Sequence, residues 1–155
     1  MTTVKDSLPA MVSTQQGGEM KKLLSIDDEP LMLQCLYHAL KSHGYELITT
    51  NDPDEGIRIV RENPDIVLAL LDVRMPRKNG FDTYNEIRAI RKIPVLFVTA
   101  YPKSFTPQSD DVVQMWENEF ADGTTDIIYK PFDLDSLYEK VEGLIGTSSE
   151  LGDTE

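Results

Sequence analysis

The chain has one cysteine, Cys35, and two histidines, His38 and His43. A single thiol excludes an internal disulfide framework and a cysteine-rich zinc site. Two histidines leave little for a histidine-based metal site or a nucleophilic triad. Long apolar runs are also missing. No stretch approaches the ~20 residues that a membrane span needs, and no apolar signal core follows Lys5. Bases are scarce: 15 Lys and Arg stand against 27 Asp and Glu, a net charge of −12. That surface repels phosphates, which argues against direct contact with nucleic acid or anionic membranes. What is present is 40% apolar content over 155 residues, enough for one core and about one domain. The expected setting is the cytoplasm.

Residues 1–20, rich in Thr, Ser, Gln and Gly, read as a flexible leader, and 147–155 as a flexible acidic tail. The folded unit is then 21–146. Within it, short apolar runs alternate with helical patterns. Leu23-Leu24-Ser25-Ile26 is a first strand, and Met32, Leu36 and Leu40 mark one face of a helix from Pro30 to about Ser42. Leu47-Ile48 marks a second strand. Asp52-Pro53-Asp54-Glu55 carries three helix-start signals: a capping Asp, a proline in the first turn, and a Glu three residues after the cap. Ile66 to Leu71 is six apolar residues in a row, the pattern of a strand buried on both faces. Phe81, Tyr84, Ile87 and Ile90 mark a third helix, and Val95 to Val98 a fourth strand. A fourth helix is expected over about 110–121, a fifth strand at Ile127-Ile128-Tyr129, and a fifth helix capped by Asp133. Five βα units predict a doubly wound α/β fold with a flavodoxin-like parallel sheet, order 2-1-3-4-5, and five helices. Cys35 is expected to be a small core residue.

In such a sheet, ligands bind beyond the carboxyl ends of the strands. There the sequence places Asp27 and Asp28 after the first strand, with Glu29 following. Asp72 comes after the third strand, Thr99 ends the fourth, and Lys130 follows the fifth. The two acids after the first strand would repel a phosphate, which argues against a flavin or nucleotide site of the glycine-rich kind. Three carboxylates instead suit a hard cation with oxygen ligands, Mg²⁺ with Mn²⁺ as an alternative. The charges balance: −3 from Asp27, Asp28 and Asp72, +2 from the metal, +1 from Lys130. One carboxylate could then serve as a nucleophile toward phosphorus, since phosphoryl transfer needs mainly positioning and charge compensation. Glu29 could reach the metal through water or cap the first helix.

Four segments carry a resemblance: Ser25-Ile26-Asp27-Asp28-Glu29-Pro30; Leu71-Asp72-Val73-Arg74-Met75-Pro76 with Gly80; Val98-Thr99-Ala100; and Tyr129-Lys130-Pro131-Phe132. Over about residues 22–146 the chain resembles the receiver domain of two-component response regulators. The resemblance implies that Asp72 is the phosphoacceptor. It implies that Asp27, Asp28, Asp72 and the Arg74 backbone carbonyl hold the metal. Thr99 and Lys130 would contact the phosphoryl group, and Lys130–Pro131 would be a cis peptide. It implies a signalling switch, not a metabolic enzyme, that catalyses its own phosphorylation and dephosphorylation. The donor would be a histidine kinase or histidine phosphotransfer protein. The output would be a separate, unidentified protein meeting the surface of the fourth helix, fifth strand and fifth helix.

Departures from the family pattern are informative. An aromatic residue commonly lies three positions before the lysine; here that position is Ile127, and Tyr129 is expected on the other strand face. Thr99 to Lys130 is long for the family, with the surplus at about 101–109. Arg74 and Tyr101, each two residues after a site residue, are expected to modulate phosphoryl lifetime. Two other readings stay open: a receiver excised from a larger transcription factor or hybrid kinase, and an aspartate-nucleophile phosphatase of the haloacid dehalogenase kind. The latter is disfavoured because Asp27 and Asp28 are adjacent, not spaced Asp-x-Asp.

Overall fold

The computed structural model describes residues 20–75, 78–100 and 123–153, with side chains described as far as Gly146. The elements are β1 (Lys21–Ile26), α1 (Pro30–Ser42), β2 (Tyr45–Thr50), α2 (Pro53–Glu62), β3 (Ile66–Leu71), α3 (Gly80–Ile90), β4 (Val95–Thr99), β5 (Thr125–Tyr129) and α4 (Leu134–Asp153). All strand pairs are parallel, in the expected order β2-β1-β3-β4-β5. The helix expected over about 110–121 lies outside the described residues, so α4 denotes the C-terminal helix. Residues 1–19 of the expected leader also lie outside them.

Two apolar clusters flank the sheet. One packs Leu36, Ala39 and Leu40 of α1 and Leu137, Val141, Leu144 and Ile145 of α4 against Leu23, Leu68, Leu70, Leu96, Val98 and Ile128. The other packs Ile57 and Val60 of α2 and Tyr84 and Ile87 of α3 against Leu24, Ile26, Ala69, Leu71, Val95 and Phe97. This is the alternation that period-two side chains impose on a sheet covered on both sides. Strand β3 breaks the period once. Ile66 faces the α2/α3 cluster, while Val67 and Leu68 both face the other. The pairing with β1 slips there, from Lys22↔Ile66 to Leu23↔Leu68. One extra residue in a strand reverses the faces downstream. Beyond the bulge the regular register carries β3 to Asp72.

The helix starts follow the sequence signals in part. Asp52 accepts from the Asp54 amide at 3.1 Å, with Pro53 opening α2. The Thr50 hydroxyl donates to Glu55 and accepts from the Asp52 amide, so Thr50 sits between the two ends of the capping box. Asp133 accepts from the Ser136 amide at 2.7 Å at the start of α4. At the end of α1, Gly44 takes φ 94° and its amide bonds the Lys41 carbonyl, a left-handed stop that favours glycine. His43 stacks on Tyr138 at 3.8 Å and bonds Glu142 at 2.7 Å, fastening the end of α1 to α4.

Two expectations need correction. Cys35 is exposed, not a core residue. It lies on the flank of the stripe that buries Leu36, Ala39 and Leu40. Residues 147–153, expected as part of a flexible acidic tail, are instead helical, because α4 continues to Asp153. Gly146 disfavours helix by only ~1 kcal/mol, and no proline follows it to stop the chain.

Candidate functional site

Each site residue is aimed by the backbone ladder of the sheet. The Asp27 amide donates to Thr50 O at 3.2 Å, the Asp72 amide to Ile26 O at 3.0 Å, and the Lys130 amide to Thr99 O at 2.7 Å. Thus the pairing continues one residue past β1, β3 and β5, and fixes three side chains at one rim. The loop after β3 is held close. The Gly80 amide bonds Val73 O at 2.9 Å, and a Cβ on Gly80 would lie 2.5 Å from the Asp72 carbonyl oxygen. Only glycine allows α3 to start that near the Asp72 backbone.

The carboxylates of Asp27, Asp28 and Asp72 each offer an oxygen within 4.8 Å of the others; Asp27 and Asp72 are buried and Asp28 exposed. Asp27 Oδ1 accepts the Glu29 amide at 2.9 Å, and Asp72 Oδ1 accepts the Arg74 amide at 3.2 Å. The Lys130 ammonium lies 3.1 Å from Asp27 Oδ2 and 3.6 Å from Asp72 Oδ2. Thr99 Oγ1 is buried at the same rim and has no hydrogen-bond partner among the described residues. Buried hydroxyls are ordinarily paired, so this one points to a ligand.

The electrostatics show what the rim lacks. Burial pushes the Asp72 carboxyl up to about 7, helped by the Asp27 charge and opposed by Lys130 and the Arg74 amide. The two carboxylates face one another at this rim, so neither is raised independently of the other. Asp27 is raised too, mainly by burial, against the Glu29 amide and Lys130. Burial acts to lower Lys130, but its bond to Glu29 and the charges of Asp27 and Asp72 outweigh this and raise it. One ammonium among these carboxylates leaves the rim short of positive charge. A divalent cation would supply what is missing, and the all-oxygen donor set of Asp27, Asp28 and Asp72 fits Mg²⁺.

Lys130–Pro131 is a cis peptide. Tyr101 lies outside the described residues. Tyr129 does not face away from Ile127. Residues two apart share a face, and Ile128 between them is the one buried on the α1/α4 side. Ile127 packs at the edge of the α2/α3 cluster. Sequence reasoning missed the contact that Glu29 makes with Lys130. Glu29 stands at the N-cap of α1 but makes no side-chain cap bond; its Oε1 accepts from Lys130 at 2.9 Å. The signal was a third acid directly after Asp27-Asp28.

A doubly wound parallel sheet with an acidic cluster, a lysine and a buried hydroxyl at its carboxyl rim defines a phospho-receiver. The chain belongs to the response regulator receiver domain family, which it matches over residues 23–142; these domains are the phospho-accepting switches of two-component signalling. It is similar to the transcriptional regulatory protein CpxR homolog of Haemophilus influenzae, with 30% identity over 130 residues, 84% of this chain and 52% of that protein. The chain thus spans about half the length of such curated relatives. Among solved structures it is similar to a response regulator receiver domain protein of Clostridium thermocellum, with 27% identity and a TM-score of 0.72 over 85% of this chain and 99% of that one. It is also similar to the chemotaxis protein CheY4 of Vibrio cholerae, with 26% identity and a TM-score of 0.65 over 81% and 98%. Receiver domains hold Mg²⁺ through acidic clusters of the kind formed by Asp27, Asp28 and Asp72. Among the described residues no helix is long and apolar enough to cross a membrane.

Proposed function

We propose that Asp72 accepts a phosphoryl group from a phosphohistidine on a histidine kinase or histidine phosphotransfer protein, in the cytoplasm. The carrying observation is the convergence of three carboxylates within 4.8 Å, a lysine beside two of them and an unpaired buried hydroxyl. Asp27, Asp28, Asp72 and the Arg74 carbonyl would hold Mg²⁺ or Mn²⁺. The ion, when bound, offsets the negative charge that carboxylates and phosphoryl oxygens bring together.

The protein's own groups do the rest. An Asp72 carboxylate oxygen forms the new O–P bond as the P–N bond to the donor histidine breaks, and the departing imidazole leaves neutral, its other ring nitrogen having been protonated from water beforehand. Lys130 lies beside the position the phosphoryl oxygens would occupy. Thr99 Oγ1 has a donor to offer them. Water later cleaves the O–P bond and releases inorganic phosphate, with the same groups in place; this is the sense in which the domain catalyses its own phosphorylation and dephosphorylation. Arg74 and Tyr101 would tune that second step. A phosphoryl that draws on Thr99 and Lys130 pulls on β4 and β5, and so biases the β5/C-terminal helix surface toward a partner.

The test is intact mass after incubation with acetyl phosphate and Mg²⁺. Wild type should gain one phosphoryl group and Asp72→Asn none; a gain in both would refute the assignment. We read the output as a separate protein. A receiver carried on a longer chain is the second reading, supported by relatives of which this chain spans about half, and the mass of the chain in its source separates the two.

A further inference from the structure

We propose that Glu29 is a positioning residue that draws the Lys130 ammonium away from Asp72, so that phosphorylation must loosen this contact; the inference rests on Asp72 as phosphoacceptor. Lys130 Nζ lies 2.9 Å from Glu29 Oε1, 3.1 Å from Asp27 Oδ2 and 3.6 Å from Asp72 Oδ2. Its two hydrogen bonds go to Glu29 and Asp27, and Asp72 is beyond hydrogen-bond range. The ammonium is therefore centred on the two acids that do not receive the phosphoryl group.

The base of Glu29 is fixed. Its amide bonds Asp27 Oδ1 at 2.9 Å, and its carbonyl accepts the Leu33 amide at 3.1 Å in the first turn of α1. At an N-cap position its side chain could have bonded the helix amides, and it does not. It reaches over Lys130, which is 11% exposed, while remaining 60% exposed itself. A phosphoryl oxygen on Asp72 would recruit the ammonium toward β3 and stretch the Glu29 bond. Glu29 also repels the incoming anion. Both effects oppose phosphorylation, and the exposure of Glu29 keeps them modest and sensitive to salt.

The experiment measures beryllofluoride affinity by calorimetry in saturating Mg²⁺ for wild type, Glu29→Gln, Glu29→Ala and Asp72→Asn. Mg²⁺ affinity is measured separately, and the Lys130 Nζ resonance is followed by NMR. Glu29→Gln and Glu29→Ala should bind beryllofluoride about fivefold tighter at low salt, with the gain shrinking at high salt. Mg²⁺ affinity should be unchanged, and the Nζ resonance should shift in the metal-free protein. Glu29→Asp, charged but one methylene shorter, should fall between wild type and Glu29→Gln. Equal or weaker binding in the Gln and Ala variants, beside a wild type that binds and an Asp72→Asn that does not, overturns the inference alone. Tighter binding explained by a matching rise in Mg²⁺ affinity also overturns it. A wild type that binds no beryllofluoride removes the phosphoacceptor reading and the inference together.

Discussion

Asp72→Asn should make the metal-free protein more stable at neutral and alkaline pH. Burial and the Asp27 charge lift the Asp72 carboxyl from an ordinary 3.8 to about 7. The folded state therefore holds a proton that the unfolded chain releases near pH 4. Stability from a raised acid is fully present below the unfolded value and is lost as pH rises through the folded one. Wild type should accordingly weaken between about pH 4 and pH 7. At about 1.4 kcal/mol for each tenfold change in proton affinity, the loss is at most about 4 kcal/mol. Asp27 shares the proton, so part of that sum belongs to the pair and survives the substitution. We expect about 1–3 kcal/mol net.

For a chain of this size, 1 kcal/mol moves Tm by about 3 °C. In EDTA at pH 8, Asp72→Asn should melt roughly 3–9 °C above wild type. Near pH 4 the two should coincide, because a protonated Asp and an Asn differ little in charge. Saturating Mg²⁺ should narrow the gap at pH 8 by stabilising wild type, about 2.7 kcal/mol at a hundredfold excess over Kd. Differential scanning calorimetry over this pH range decides the matter. An Asp72→Asn no more stable than wild type at pH 8 in EDTA, or a gap independent of pH, would refute the reasoning.

Thr99→Val should raise metal-free stability by about 1 kcal/mol, since it removes a buried hydroxyl with no partner; urea denaturation reading no gain would mean that the hydroxyl is paired. The same variant should weaken beryllofluoride binding. Gly80→Ala should lower stability by about 1–3 kcal/mol and slow phosphorylation, because its Cβ meets the Asp72 carbonyl at 2.5 Å and Val73 Cα at 2.8 Å, both backbone. Gly143→Ala, where a Cβ meets nothing within 4 Å in the middle of α4, should instead gain about 0.5–1 kcal/mol from helix propensity. Tyr101→Ala should shorten the phosphoryl lifetime, read from the decay of the phosphorylated mass after the donor is removed.

Much of the site was legible because the strands are apolar and the rim is not. A carboxylate that ends a run such as Ile66–Leu71 has few places to go except the carboxyl end of a buried strand. Asp27 and Asp72 carry that signature, Thr99 closes β4, and Lys130 follows β5. What stayed hidden depends on contacts distant in sequence or on faces that the sequence leaves unmarked. The bulge at Val67 is invisible because six consecutive apolar residues give no alternation to break. The exposure of Cys35 turns on a small angle around α1, finer than a heptad-like count resolves. The course of α4 past Gly146 is set by backbone hydrogen bonds that small polar residues neither favour strongly nor prevent. Glu29 was the costliest omission. As part of a helix start it looks like a cap, and only the approach of Lys130 from 101 positions away gives it another use.

The arrangement of these charges explains why the rim can act as a switch. A site optimised for stability would pair Asp72 fully with Lys130 and leave no hydroxyl unsatisfied. Here the ammonium lies nearer Glu29 and Asp27, burial raises Asp72 to about 7, and Thr99 has no hydrogen-bond partner among the described residues. On the proposed function, each of these features would change in the same event. A phosphoryl group joined to Asp72 would displace its proton, give Thr99 an acceptor, and draw Lys130 from Glu29. On the proposed function, Asp72, Thr99 and Lys130 would thus bond differently in the two states. A ligand shifts an equilibrium only by what it binds differently in the two states. That difference at the rim is what phosphorylation would convert into movement at β4 and β5.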